Sequence, residues 1–251
     1  MAGAMGNTMM RMLVTRPEPD AQGTLARLDA LGIEGVAAPV MMRQVLEASL
    51  PPPDGFRAMV LTSANAVRTL VERGVAEQYF HLPVFAVGDR TARDATEAGF
   101  HRVSSAAGSF QDLVNAMTIA QLKGPLFYPT GKHQSADLAK ALAPLGVMVA
   151  TAKIYEMVPV DALPPAILAE LGNGTIGAVL AYSRRTAEIF ARLTGELSPA
   201  QRSALTMLCL SEAVAEPLLE NHFNRIALAD RPDEDAMMAL ALAFAREQTG
   251  P

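Results

Sequence analysis

The sequence predicts an α/β fold built on parallel sheets. Short apolar runs of strand length recur along the chain, and each ends in a turn residue that opens a segment of helical spacing. Strands alternating with helices at this pitch imply βαβ units with right-handed crossovers. With 251 residues, half of them hydrophobic, the chain can bury one large core or two modest ones, and we favour two.

The stretch Met59–Val71, MVLTSANAVRTLV, shows the pattern most plainly. Met59, Val60 and Leu61 suit a buried strand, Ser63 or Asn65 can cap a helix, and Val67, Leu70 and Val71 fall at helical spacing. A strand running into a helix leaves the first N–H groups of the helix to accept a carboxylate or phosphate. Related junctions recur in LVTRPEPDA (13–21), VFAVGDRTA (84–92), LFYPTGKHQSADL (126–138), VLAYSRRTA (179–187) and LCLSEAVA (208–215). Their sequences do not match well enough to prove duplication.

In chain order, Met12–Thr15 reads as a strand ended by Arg16-Pro17, since proline offers no further ladder donor. The next helix places Leu25, Leu28 and Leu31 along one face, and Gly32 ends it. Val36–Pro39 is a second strand, Val40 to Leu46 is extended, and Pro51-Pro52-Pro53-Asp54-Gly55 is a loop. Val84–Val87 is a strand whose helix ends near Gly99, and Arg102–Ser105 begins another step. Leu113, Ala116, Met117 and Ala120 form one apolar face. Leu126–Tyr128 is a strand, Gly131 a turn, and Leu138, Ala141, Leu142 and Leu145 repeat the helical spacing before Gly146. Val147–Tyr155 is β-prone, and Val158–Pro165, with three prolines, reads as a crossing or linker. Beyond it come helix Ala166–Leu171, strand Ala178–Ala181, helix Thr186–Leu193, strand Thr206–Leu210, helix Glu212–Glu220, strand Arg225–Ala229 and helix Asp233–Arg246.

Composition excludes several function classes. A net charge of −5 and a pI near 5.4 argue against nucleic-acid binding, which rests on basic residues facing phosphates. Cys209 is the only cysteine, so there is no internal disulfide framework and no Cys-rich metal site, and a reducing cytoplasmic setting fits. No apolar run approaches the length of a membrane span. The opening MAGAMGNTMMRM lacks a signal-peptide core and reads either as a disordered lead or as a segment foreign to the native chain.

Function is expected at the turns, because parallel sheets bind ligands at the carboxyl ends of their strands. Those ends carry Arg16, Arg90, Lys132, His133, Arg184 and Arg185. Together they suggest a cleft biased toward an anionic ligand, while any one of them reads equally as a solvated surface group. There is no GxGxxG before the first helix and no GxxxxGK[ST] loop. The four histidines, His81, His101, His133 and His222, lack the spacing of a metal site. Ser63, Ser183 and Ser211 have no GxSxG elbow and read as helix caps rather than nucleophiles.

With these residues in view, the chain resembles the uroporphyrinogen-III synthase family. LVTRPEPDA, LTSANAV, AVGDRTA, KIYE, YSRRTA and LSEAVA stand in the order and spacing of that family, from Leu13 to the last helix. The resemblance implies two α/β domains, each a mainly parallel sheet flanked by helices, joined by a two-stranded linker. Residues 1–39 plus 159–251 would form one domain, 44–154 the other, and 40–43 and 155–158 the linkers. It implies conversion of hydroxymethylbilane, an open chain of four pyrroles, to uroporphyrinogen III through a spiro intermediate that inverts ring D, without metal or other cofactor. The eight carboxylates of that substrate would be held by backbone N–H groups and a few basic side chains in a cleft between hinged domains. A monomer is the family default, with transient contact with the preceding enzyme of the pathway.

Carried over residue by residue, the resemblance places Arg16, Ser63, Asn65, Ala66, Gly88, Thr91, Gly131, Lys132, Ser183 and Ser211 against substrate. Tyr155, in KIYE, would give a proton to the departing hydroxyl. Its residues alone leave two readings open, a phenol facing the cleft or a strand tyrosine with its ring packed and its hydroxyl at the surface. Two departures stand out. PTGKHQSAD (129–137) lacks the arginine often found near its glycine, leaving Lys132 as the basic substitute, and Ala213 and Val214 replace threonines after Ser211. The rival class is a non-catalytic two-domain anion binder of periplasmic-binding-protein-like architecture, disfavoured by the missing signal peptide and the lack of a DNA-binding appendage.

Overall fold

The computed structural model describes residues 10–106, 108–134 and 136–249. The opening segment 1–9 lies outside the described residues. The chain divides into two compact units, one holding residues up to Met42 and from Val158 onward, the other Arg43–Met157.

The first unit opens with β1 (Arg11–Val14), α1 (Asp20–Ala30) and β2 (Gly35–Ala37). The buried face of α1 is Ala21, Thr24 and Leu28. Leu31, expected on that face, is exposed because the helix ends at Ala30, one residue before it. Gly32 follows at φ +74°, a left-handed conformation that suits glycine.

The second unit carries a six-stranded sheet. Its strands are β3 (Met41–Val45), β4 (Ala58–Leu61), β5 (Val84–Ala86), β6 (Val103–Ser105), β7 (Leu126–Gly131) and β8 (Val149–Pro159), in the order β3-β8-β7-β4-β5-β6. The helices between them are α2 (Ala64–Glu72), α3 (Asp89–Glu97), α4 (Phe110–Ile119) and α5 (Leu138–Leu142). Pairings β4 with β5, β4 with β7, β5 with β6 and β7 with β8 are all parallel.

Side-chain alternation along β4 explains why both faces of this sheet are covered. Met59 and Leu61 point into a core with Val67, Leu70, Tyr79, Phe100 and Phe127. Ala58 and Val60 point the other way, toward Leu113, Met117, Leu126, Tyr128, Leu138 and Leu142. Full burial of a side chain such as Leu70 stabilises the unit by roughly 1.5–3 kcal/mol. Val71, expected beside it, is 50% exposed, and Thr69 takes the buried position. Ala120 is likewise exposed, since it lies just past its helix, and Leu145 is exposed at the end of the 3₁₀ turn Ala143–Leu145 that continues α5.

Two local expectations need correction. Gly131 is the last residue of β7, paired with Tyr155, instead of a turn. The strand predicted over Val147–Tyr155 runs on to Pro159, so the proline-containing stretch is partly strand. Proline is tolerated there because it stands at the strand terminus.

The first unit then resumes with α6 (Pro165–Asn173), β9 (Ile176–Ala181), α7 (Arg184–Leu193), α8 (Pro199–Ala204), β10 (Thr206–Cys209), α9 (Glu212–Leu219), β11 (Arg225–Leu228) and α10 (Glu234–Thr249). Its sheet has the order β11-β10-β9-β1-β2, and every pairing in it is parallel. Met12, Val14, Ala178, Leu180 and Leu208 meet α1 and α10 on one face, while Leu13, Val179 and Met207 are fully buried on the other. The short α8 escaped the sequence reading. Six residues show little periodicity, and its capping box, Ser198 with Gln201, is the signal that marks it. Among the described residues no helix is long and apolar enough to cross a membrane.

Candidate functional site

In both units the strand-to-helix turns fall at the carboxyl edge of a parallel sheet, as parallel connectivity demands. They differ in how their helix starts are satisfied. Ser63 caps α2 by accepting from the N–H of Asn65 at 3.2 Å, and its carbonyl accepts from Ala66 N–H at 3.0 Å. Ser183 does the same for α7, accepting from Thr186 N–H at 3.2 Å. At α3 the cap residue is Gly88, which has no side chain to offer, and at α9 the Ser211 side chain makes no capping bond. At α9 the Val214 N–H goes instead to the Ser211 carbonyl at 3.1 Å, so that start is no less spent than α7, while at α2 Asn65 and Ala66 both give their amides to Ser63.

A pocket of about 360 Å³ opens at the carboxyl edge of the second unit's sheet. Its hydroxyl-bearing wall consists of Thr62, Ser63, Tyr128, Thr130 and Tyr155, and His133 stands at its side. That volume suits a ligand of drug size and holds only part of a four-ring chain. Tyr155 is 8% exposed, belongs to the core around Tyr79 and Phe127, and lines the pocket. Burial raises its pKa above the ordinary 10.0, and a hydrogen bond with Ser63 opposes that rise. The phenol is thus a protonated group at neutral pH.

Glycines shape this pocket where backbones or rings approach closely. A Cβ on Gly131 would lie 2.9 Å from Cζ of Tyr155, and one on Gly88 would lie 3.3 Å from Cα of Gly108, which itself lines the pocket. Gly108 adopts φ +122°, a region that favours glycine. Thr91, in the first turn of α3, is buried.

Lys132 follows Gly131 and its N–H donates to the Tyr155 carbonyl at 2.8 Å. Its ammonium meets Glu156 at 2.9 Å, and His133 Nε2 lies 3.3 Å from the same carboxylate. The Lys132 hydrogen bond holds the Glu156 carboxyl below the usual range, so this charge persists into mild acid.

Other predicted contacts are placed differently. Asn65 spends its side chain on Arg68 at 3.3 Å and on the Met157 sulfur at 3.6 Å. Ala66 is 1% exposed and belongs to the core. Arg16 is gathered into a network of the first unit: it pairs with Glu234, lies 3.6 Å from Asp20, donates to Thr24 at 3.1 Å and stacks 4.2 Å from the Tyr182 ring centre. Tyr182 and Thr24 each bond Glu234 at 3.1 Å. Arg184 pairs with Glu188 at 3.0 Å and also with Glu216. Among the described residues no three His, Cys, Asp or Glu side chains gather as a metal site.

The sequence reading missed Thr62, Tyr128, Gly108 and Glu156. Tyr128 lies in an apolar strand and reads as core, and no local signal shows where its hydroxyl goes.

The family described as "Uroporphyrinogen-III synthase HemD" matches residues 23–239. The chain belongs to the uroporphyrinogen-III synthase family. Its fold is similar to the uroporphyrinogen-III synthetase of Helicobacter pylori 26695, with a TM-score of 0.65 at 18% identity over 94% of this chain and 100% of that one. It is also similar to a mutant uroporphyrinogen III synthase of the extremely thermophilic bacterium Thermus thermophilus, with a TM-score of 0.53 at 19% identity over 96% and 100%. No curated protein matches the sequence. At these identities the likeness to solved structures speaks for the synthase architecture, and the family match speaks for the activity class, a lyase of tetrapyrrole biosynthesis.

Proposed function

We propose that the second unit's pocket is where this synthase handles the reacting end of hydroxymethylbilane. Family membership over residues 23–239 carries the activity, and the hydroxyl-lined pocket beside the α3 start supports this location. The reaction loses water from the terminal hydroxymethyl group. Its C–O bond breaks toward oxygen, a proton joins that oxygen, and the pyrrole nitrogen supplies the electrons that leave an azafulvene cation. Ring D then attacks through its substituted carbon to give the spiro intermediate. Fragmentation and reclosure invert the ring, and the proton lost at the new junction restores the donor.

In this reading Tyr155 gives the first proton. Its burial keeps the phenol protonated, and the Ser63 hydrogen bond steadies the phenolate that follows. In the second unit Lys132 and the helix start at Gly88–Thr91 hold carboxylates, with Gly131 and Ser63 shaping the surface beside them, and in the first unit the starts of α9 at Ser211 and of α7 at Ser183 offer the same kind of contact. The α2 start contributes less, because Asn65 and Ala66 have already committed their amides to Ser63. Holding the chain bent brings the reacting carbons together, and excluding water protects the cation. The buried, free Cys209 suits a reducing cytoplasm.

Purified protein given fresh hydroxymethylbilane should yield the type III isomer, read by chromatography of the oxidised products. Type I alone above the enzyme-free control overturns the assignment.

A further inference from the structure

The pocket contains a second phenol. Tyr128, on β7, is 3% exposed, yet it lines the pocket and its hydroxyl lies 2.9 Å from Oγ1 of Thr62. Thr62 and Ser63 are consecutive residues of the turn between β4 and α2, and both line the pocket that Tyr128 and Tyr155 also line. Thr62 holds Tyr128 by its hydroxyl, and Ser63 lines the same pocket as Tyr155. The phenols come from adjacent parallel strands, with Tyr128 paired to Thr151 and Gly131 to Tyr155.

The choice of partner separates Tyr128 from a purely structural tyrosine. Tyr79 donates its proton to the Pro51 carbonyl at 2.6 Å, and a carbonyl can only accept, so that proton is committed. Tyr128 faces a hydroxyl, which can donate to it. When Thr62 donates, the phenol proton of Tyr128 is free to enter the pocket.

We propose that Tyr128 is a second proton donor of this site, able to serve the same leaving oxygen as Tyr155. The inference rests on the synthase reading above. The step balances without any further reactant. The C–O bond breaks with its electrons on oxygen, Tyr128 supplies the proton, and water leaves. The phenolate left behind accepts from Thr62 until ring closure returns a proton to it. Two donors in one pocket would let the site complete this step with either phenol alone.

The test compares Tyr128→Phe, Tyr155→Phe, the double variant, and Thr62→Val combined with Tyr155→Phe. The readouts are kcat, KM, isomer ratio and melting temperature. Each single change is expected to lower kcat by less than about tenfold with KM unchanged. The double variant should lose about 10²-fold more than the product of the two single losses, the scale of a general acid. Thr62→Val should deepen the loss in the Tyr155→Phe background, and it carries the comparison if Tyr128→Phe does not fold. A double loss equal to the product of the singles overturns the proposal, as does a Tyr128→Phe variant altered only in KM or melting temperature. A wild-type protein that makes only type I instead overturns the synthase reading itself.

Discussion

Gly131 and Tyr155 fit together so closely that a methyl group on Gly131 would sit 2.9 Å from Cζ and 3.1 Å from Oη of the phenol. The last residue of β7 is therefore a glycine for reasons of space, since it forms strand and not a turn. Its bareness leaves the room that the Tyr155 ring and hydroxyl occupy at the wall of the pocket.

Gly131→Ala should push the Tyr155 ring from this seat. Overpacking of this kind costs about 1–3 kcal/mol, and the larger effect is expected on kcat, because the phenol loses Ser63. Denaturant melts and steady-state kinetics check both. Unchanged kcat would separate the glycine from the chemistry.

Tyr155→Phe should leave the fold intact and reduce turnover by less than about tenfold, short of the full 10²–10⁴ that a lone general acid supplies. Wild-type turnover in this variant, with no further loss when Tyr128→Phe is added beyond that of Tyr128→Phe alone, would remove Tyr155 from the mechanism.

Glu156→Gln should strengthen substrate binding. The Glu156 carboxylate occupies Lys132 at 2.9 Å and His133 at 3.3 Å, and an incoming substrate carboxylate competes with it. The expected sign is a lower KM, by a factor of a few because exposed ion pairs are weak and screened by salt. A higher KM would mean that Glu156 positions Lys132 instead of withholding it.

Arg16 should matter more to stability than to binding. Glu234→Gln weakens its partnership with Arg16, Thr24 and Tyr182 at once. A loss of about 1.5–3 kcal/mol follows from the value of hydrogen bonds to charged groups, read by urea denaturation. An unchanged melt with a raised KM for Arg16→Met would return Arg16 to the substrate-binding set.

Stability should fall on the alkaline side. Burial pushes Cys209 from 9.0 up to about 12, and burial likewise raises Tyr79, Tyr155 and Tyr182 above 10.0. The unfolded chain releases these protons first, so their contribution is intact below pH 9 to 10 and is lost as pH climbs toward the folded values. Denaturant midpoints measured from pH 8 to 11 should decline. A flat profile would mean that these groups ionise alike in both states.

The succession of strands and helices, the capping roles of Ser63 and Ser183 and the family were all legible in the chain before it folded. These are local properties, written in periods of two and 3.6 and in the residues that stop them. Which polar groups are already spent emerged from the packed molecule alone. Arg16 reads in the chain as a cation at a strand end, and only the fold pairs it with Glu234, 218 residues away. Tyr128 reads as core and is core, and only the fold brings its hydroxyl to Thr62, 66 residues earlier. Side-chain pairing across such separations leaves no periodic trace in the chain, because it depends on which strands become neighbours, and the sheet order settles that.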